Sequence, residues 1–543
     1  MIKKILLFIS LISIPFVAGS HIGNPGVSFE GKAGSYEIMA QINPPDVIPG
    51  TATVDIFTDG SRITSIWAKP EYWYAGDEGT PEADEILPVE GEAGHYRGLI
   101  WLMDPGTSGI EIEINGNSGD GKVLVPVMAV STRQKSMDPG LGWMLFGLCV
   151  LLVILMVTII GASVSDGMVK PNEPITPRMK QRKVVGMIVS AVALLAMLWG
   201  GKSWWDNWAN DYRRFMYRSL NATSSVTENK LTFSVDTTRL TNLTFTRNIS
   251  YIIPDHGKLM HMFLVRAGSM DVFTHLHPAR KDSVTFVTSL PPLPSGRYLV
   301  FADVTRFSGF SETIPDTLDI KEPIGSMQDS SLASKDDTYF FTNPLTQQTI
   351  SSGELEDVLI CGKPGVRLPL ADGSTVTWEH DTANPLLSKK LYSLKFSLLD
   401  ENGSPALLEP YLGMGGHAVV MKDDGKVYIH LHPVGSYSMA SQQAMLTRFE
   451  NEEGPFDFDK RPKSVAFMDS VDQVIEHLDK MPVEDRNKIL MAGMQHDQFD
   501  PAHPEHSIVS FPYAFPEPGK YRIWVQLKRN GKVLNSAFDA VVE

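Results

Sequence analysis

The sequence predicts a mainly β protein: three extracytoplasmic β-sandwich domains, two transmembrane α-helices after the first, and a helical insertion in the last. Three observations predict it. Short runs that alternate apolar and polar residues, broken by Pro and Gly, fill most of the chain, as half-buried strands require. Two uncharged apolar stretches interrupt that pattern, each near the length of roughly 20 residues that crosses a bilayer. A histidine followed one hairpin later by His-Leu-His-Pro occurs twice, at His261 with His275-Leu276-His277-Pro278 and at His417 with His430-Leu431-His432-Pro433. That recurrence reads as a repeated domain.

The N-terminus reads as an export signal over residues 1–20. Lys3 and Lys4 precede the apolar run Ile5–Val17 and the small residues Ala18-Gly19-Ser20. Cleavage there makes His21 the mature terminus, whose amine and imidazole together can chelate copper. Residues 21–135 form the first sandwich. Tyr36–Ile42, Thr51–Phe57 and Ile110–Ile114 alternate, and Asn43-Pro44-Pro45, Pro49-Gly50 and Asp59-Gly60 supply turns. His95 stands alone there and is expected at the surface. The first span is 142–163. The second is 184–203, with Trp199, Trp204, Trp205 and Trp208 marking an interface. The loop 164–183 carries Lys170, Arg178, Lys180, Arg182 and Lys183 against Asp166 and Glu173, which assigns it to the cytoplasm and both long flanks to the outside. Asp206–Leu220 continues as a further helical stretch.

Residues 230–322 and 338–543 are two related sandwiches of the immunoglobulin or cupredoxin-like kind, joined by the polar linker Gly325–Lys335. Ser289–Asp303 in the first matches Phe511–Val525 in the second: a Pro-rich approach, a Gly turn, then an alternating strand. The last domain also holds an insertion, 434–506. It contains two helical stretches, Ser438–Phe449 and Val471–Lys480, and ends with His496, His503 and His506. Insertions of this length are usually functional.

Residues two apart in a strand share a face. Each His-Leu-His therefore sets two imidazoles side by side, and the upstream histidine arrives from the neighbouring strand. The expected metal ligands are His417, His430 and His432 with His506 from the insertion, and His261, His275 and His277 as a second or vestigial site. His256 lies close to the first copy. Imidazole suits copper, zinc, nickel and iron, and thioethers shift the preference to Cu(I). Met260, Met262, Met270, Met414, Met421, Met439 and Met494 are the nearby thioether candidates, and Cys361 is a buried thiol or an extra soft ligand. The upstream histidine stands fourteen residues before the motif in the first copy and thirteen in the second. Since a one-residue slip flips a side chain, either a bulge absorbs the difference or the sites are not equivalent.

The formal net charge of -15, with no basic stripe, argues against nucleic acid as a partner. Cys149 and Cys361 fall in different regions, so no disulfide staples the domains. Ser438, Ser441 or the Cys361–His380 combination lack the flanking signature of a nucleophile, and the chain is not expected to be an enzyme. The other reading open at this point is a metal-free scaffold that holds a partner at the cell envelope.

Leu408-Glu-Pro-Tyr-Leu-Gly-Met-Gly-Gly-His417 followed by Tyr428-Ile-His-Leu-His-Pro433 resembles a group of bacterial secreted or membrane-anchored β-sandwich proteins carrying P-Y-L-G-x-x-G-H and then H-x-H-P. That group is similar to domains associated with copper and heavy-metal handling, and Phe511–Gln526 matches its closing strand. Gly23–Gly34 is similar to the start of exported sandwich domains. The resemblance implies an extracytoplasmic location and a metal: copper first, zinc as the alternative. The partners implied are the membrane and an extracytoplasmic metalloprotein. In the first motif copy the P-Y-L-G approach is read as missing.

Overall fold

The computed structural model describes residues 26–58, 63–170, 172–238, 248–325, 332–345, 358–452, 454–492 and 507–543. The signal segment, His21, His496, His503, His506 and Met494 lie outside them. The described chain is mainly β and divides into two units. One comprises 130–218 and the other 1–129 with 219–543.

The smaller unit holds two helices. Helix α1, Pro139–Ser163, starts where Asp138 caps the amide of Leu141 and Pro139 occupies the first turn. Its 25 residues extend about 37 Å, enough to cross a hydrocarbon core of roughly 30 Å. Helix α2, Pro177–Phe215, is capped by Thr176 and spans 39 residues. The helical stretch expected from Asp206 is part of the same helix and ends at Phe215: no Pro interrupts the run, and Lys202 pairs with Asp206 one turn on. Both helices are long and apolar enough to cross a membrane. They approach closely, since a Cβ on Gly161 would stand 2.6 Å from Met187.

In the larger unit, the N-terminal strands form one eight-stranded sheet, from Val27–Ala33 at one edge to Gly119–Ala129 at the other. Alternation works as expected: Ile110, Ile112 and Ile114 are fully buried, while Glu111 and Glu113 are not. His95 corrects the surface expectation. It is buried, stacked on Phe57, with Nδ1 2.6 Å from Glu92 and Nε2 2.8 Å from Asp55. Two carboxylates and an aromatic face supply what the solitary sequence position did not reveal.

The region around the first motif copy has a four-stranded sheet and a larger one enclosing a shared core of Phe233, Met262, Leu264, Val272 and Phe286. Thr338–Thr342 adds to the larger sheet, antiparallel to Val272–Leu276. The domain boundary expected at 338 therefore falls inside a sheet. Around the second copy, two four-stranded sheets enclose Val376, Trp378, Phe396, Val420, Phe511 and Ile523. The insertion forms α3 (Met439–Asn451, capped by Ser438), α4 (Ser464–Lys480) and α5 (Val483–Ala492), one helix more than expected.

The two motif-bearing sheets are built alike and pack face to face. In each, the first-histidine strand lies between its hairpin partner and a long strand: His261–Arg266 between Val272–Leu276 and Gly296–Arg306, His417–Lys422 between Tyr428–Leu431 and Gly519–Arg529. His261 pairs with Asp303, and His417 pairs with Gln526. Aromatic contacts between the sheets are reciprocal. Phe273, two residues before its motif, stacks on Trp524 at 4.9 Å, and Tyr428, two residues before the other motif, stacks on Phe301 at 4.0 Å. Phe301 and Trp524 occupy the same position of their strands, counted from Gly296 and Gly519.

Trp524 is fully buried, but its indole N–H has no hydrogen-bond partner. Trp524→Ala should destabilise the chain by about 3–5 kcal/mol. Trp524→Phe, the residue its counterpart carries, should lose less than half of that. Thermal unfolding of the detergent-solubilised chain checks both, and equal losses would contradict the stacking role.

Candidate metal centre

The approach to each first histidine is a tight turn. Pro254-Asp255-His256-Gly257 and Pro410-Tyr411-Leu412-Gly413 have the same backbone. Asp255 bridges Lys258 as Tyr411 bridges Met414. His256 and Gly257 lie at φ +51° and +77°, Leu412 and Gly413 at +52° and +78°. The approach read as missing from the first copy is therefore present. Only its proline and glycine survive in sequence, because the turn needs those two and tolerates change between them.

The register question also resolves. Met262 pairs with Leu276 and Ala418 with Leu431, so one step further sets His261 opposite His277 and His417 opposite His432. Seven residues separate Val265 from Phe273, and six separate Met421 from Tyr428. The extra residue sits in the turn, and both ladders stay in phase.

The face-to-face packing turns both copies inward onto one cluster. His256, His261, His275, His277, His417, His430 and His432 are all buried. Two groups of three have nitrogens within 4.8 Å of one another: His261, His275 and His277, and His256, His417 and His432. The expectation of one separate site per domain gives way to a shared centre. His256 joins the second copy's histidines across the interface, and His430 lies between the groups, its ring 5.3 Å from those of both His261 and His417. The signal for His256 was its place in the Pro-x-x-Gly turn, which is visible only once the two turns are aligned.

Protein acceptors fix the tautomers of four of these histidines. His261 Nε2 lies 3.1 Å from the Asp255 carbonyl, which can only accept, so this nitrogen carries the proton. His277 Nδ1 donates to Asp337 at 2.8 Å, and His432 Nδ1 donates to the Tyr437 carbonyl at 2.8 Å. Gln526 donates its amide N–H to Asn535 and Thr338, which leaves its oxygen to accept from His275 Nδ1 at 2.8 Å. His261 Nδ1 and His275 Nε2 are then both bare acceptors, and they stand 3.0 Å apart. The Nε2 atoms of His256, His277, His417, His430 and His432 are buried without a hydrogen-bond partner. In His261, His275, His277 and His432 the outer nitrogen is held by a carbonyl or carboxylate and the inner one is left bare, the arrangement metal-ligating histidines adopt; neither nitrogen of His417 has a hydrogen-bond partner.

Burial, reinforced by neighbouring imidazoles, pushes His261, His275, His417 and His430 well below the ordinary histidine range. Burial and His256 bring His432 down to about 4. Burial lowers His256 as well, against the pull of Asp255. Burial thus holds these six imidazoles in the neutral form, open to a cation. Asp303, 3.6 Å from His430 Nδ1, is raised by burial to about 7.

The remaining candidates lie elsewhere. Met260 and Met262 pack in the core of their own sheets, Met270 and Met421 between the facing sheets, and Met414 and Met439 against the N-terminal sheet. Cys361 packs beside the facing-sheet core, its thiol pushed up to about 11 by burial. His380 is half-buried and bonds the Asn384 carbonyl. Ser438 caps α3, and the Ser441 hydroxyl donates to the Gly309 carbonyl.

Each lowered histidine binds a proton in the unfolded chain before it does so in the folded one. Stability from these groups is complete above about pH 6.5 and is lost as pH falls through the folded values. Asp303 and Glu30, both raised by burial, act with the opposite sign but are outnumbered. The unfolding temperature of the metal-free chain should change little from pH 8 to 7 and fall steadily from pH 6.5 to 4. A flat profile down to pH 5 would contradict a buried neutral cluster.

A family described as Domain of unknown function (DUF8832) matches residues 370–467, which include His417, His430 and His432 but none of the first copy. No curated protein matches the chain. Among solved structures, the native conformation of E. coli alpha-2-macroglobulin is 10% identical with a TM-score of 0.18, over 96% of this chain and 23% of that one. The chain thus spans under a quarter of the macroglobulin's length. A putative membrane anchored protein from Corynebacterium diphtheriae is 11% identical with a TM-score of 0.12, over 95% of each chain.

Proposed function

We propose that this chain is a membrane-anchored extracytoplasmic protein that binds or passes a transition metal, copper by preference, at the shared histidine centre. One observation carries the reading: imidazole nitrogens without hydrogen-bond partners converge in a buried space, while the outer nitrogens of His261, His275, His277 and His432 are committed to protein acceptors. Burying so many unpaired acceptors costs stability unless a cation satisfies them. An all-imidazole donor set suits copper, which also tops the affinity order for divalent metals, and zinc is the alternative. The described thioether candidates give no added pull towards Cu(I), since they pack in apolar cores.

In this reading α1 and α2 anchor the chain, the basic loop between them faces the cytoplasm, and three β-sandwich bodies stand outside. The resemblance at Leu408–His417 and Tyr428–Pro433 leans the same way. Loading and release belong to binding rather than to a covalent reaction. Protons compete with metal for the same nitrogens, so acid favours release.

The metal-free full-length chain in detergent, titrated with Cu(II) and with Zn(II), tests this. Wild type should bind, and His275→Ala/His277→Ala and His417→Ala/His432→Ala should each lose metal. Gln526→Leu, which removes the partner of the outer nitrogen of His275 but no ligand, should weaken binding by about 10–100-fold. If the wild type binds neither metal, the scaffold reading replaces this one.

A further inference from the structure

We infer that the centre takes two metal ions side by side, one on His261, His275 and His277 and the other on His256, His417 and His432, and that the loaded pair binds a small bridging anion of the hydroxide or azide class. This rests on the metal reading above and goes beyond it in nuclearity and in ligand.

The two groups share no residue, and each is compact enough for one ion. Their rings also abut: His261 lies 6.4 Å from His417 and 6.1 Å from His256, and His275 lies 6.1 Å from His417. Ions held by rings at these separations are near neighbours. Three imidazoles leave a four-coordinate ion one ligand short, the condition of sites that react rather than merely hold. Among the described residues, His430 is the one further imidazole bordering the two groups, and it can complete one ion but not both. The surrounding carboxylates fall in neither group and carry hydrogen bonds of their own, although Asp255 Oδ1 also stands 3.4 Å from His256 Nε2. Asp337 accepts from His277 and from the Ser334 amide, Asp303 from Tyr428 and Thr313, and Asp255 from the Ala440 amide. At least one coordination position therefore falls to an outside ligand. Two cations among neutral ligands repel, and an anion between them relieves that repulsion.

The chain supplies its own control. Leu412 occupies the position of His256 in the equivalent turn, with the same backbone and the same positive φ. His256→Leu should therefore fold as the wild type does and remove one ligand from the second group alone.

The test uses the full chain in detergent, loaded with Cu(II). Wild type should hold two coppers per chain, with an integrated electron paramagnetic resonance signal well below its copper content, because adjacent Cu(II) ions couple. Azide should produce a new charge-transfer band. His256→Leu should keep one copper, give the full signal of one uncoupled ion and lose the azide band. One copper per wild-type chain, or two with full independent signal, would overturn the paired centre. No spectral response to azide would overturn the open position, and two coupled coppers in His256→Leu would overturn the role of His256. No copper in the wild type would sink the metal reading itself, an outcome separate from all of these.

Discussion

The packing of two like sheets face to face is the constraint on which the centre depends. Phe273 on Trp524 and Phe301 on Tyr428 hold the sheets in one relative position, and Phe263, Val419 and Met421 fill the space between. Because the stacked aromatics sit two residues before each motif, the imidazoles of both motifs project into the same gap. A sheet alone would expose its histidines to water. The pair removes them from water, and burial is the largest cause of their low proton affinity.

The same packing supplies the outer partners. His275 from one sheet leans on Gln526 of the other, and His430 returns the favour beside Asp303. Asp337, which orients His277, is adjacent in sequence to Asp336, held by Lys258 and Arg486. The insertion thus reaches the centre through backbone and charge: the Tyr437 carbonyl on His432, the Ala440 amide on Asp255, and Arg486 on Asp336. No histidine of the insertion is needed for any of these contacts.

The mainly β composition, the two apolar helices and six of the seven clustered histidines were legible in the sequence, because alternation, hydropathy and the His-x-His period are local signals. What escaped was relational. Nothing in Pro254–Gly257 resembles Pro410–Gly413 beyond proline and glycine, so the shared turn stayed hidden until backbone conformation aligned them, and His256, noted beside the first copy, was not expected to group with the second. The spacing difference looked like a register fault because sequence cannot say whether an extra residue enters a ladder or a turn. Thr338–Thr342 was assigned to the wrong side of a boundary for a related reason: strand pairing is long-range, and chain order is a weak guide to it. His95 was misplaced because its carboxylate partner Asp55 is forty residues away.

The turn that carries His256 in one copy and Leu412 in the other has one more implication. In an isologous homodimer both subunits carry the same residue at every position, so a two-fold interface cannot differ between its halves. Here both halves belong to one polypeptide, and their equivalent turns differ at this position. One half presents an imidazole and the other an isobutyl group, on the same backbone. Covalent linkage lets this interface keep the packing of a symmetric pair while giving its two sides different chemistry, a division that identical subunits cannot make.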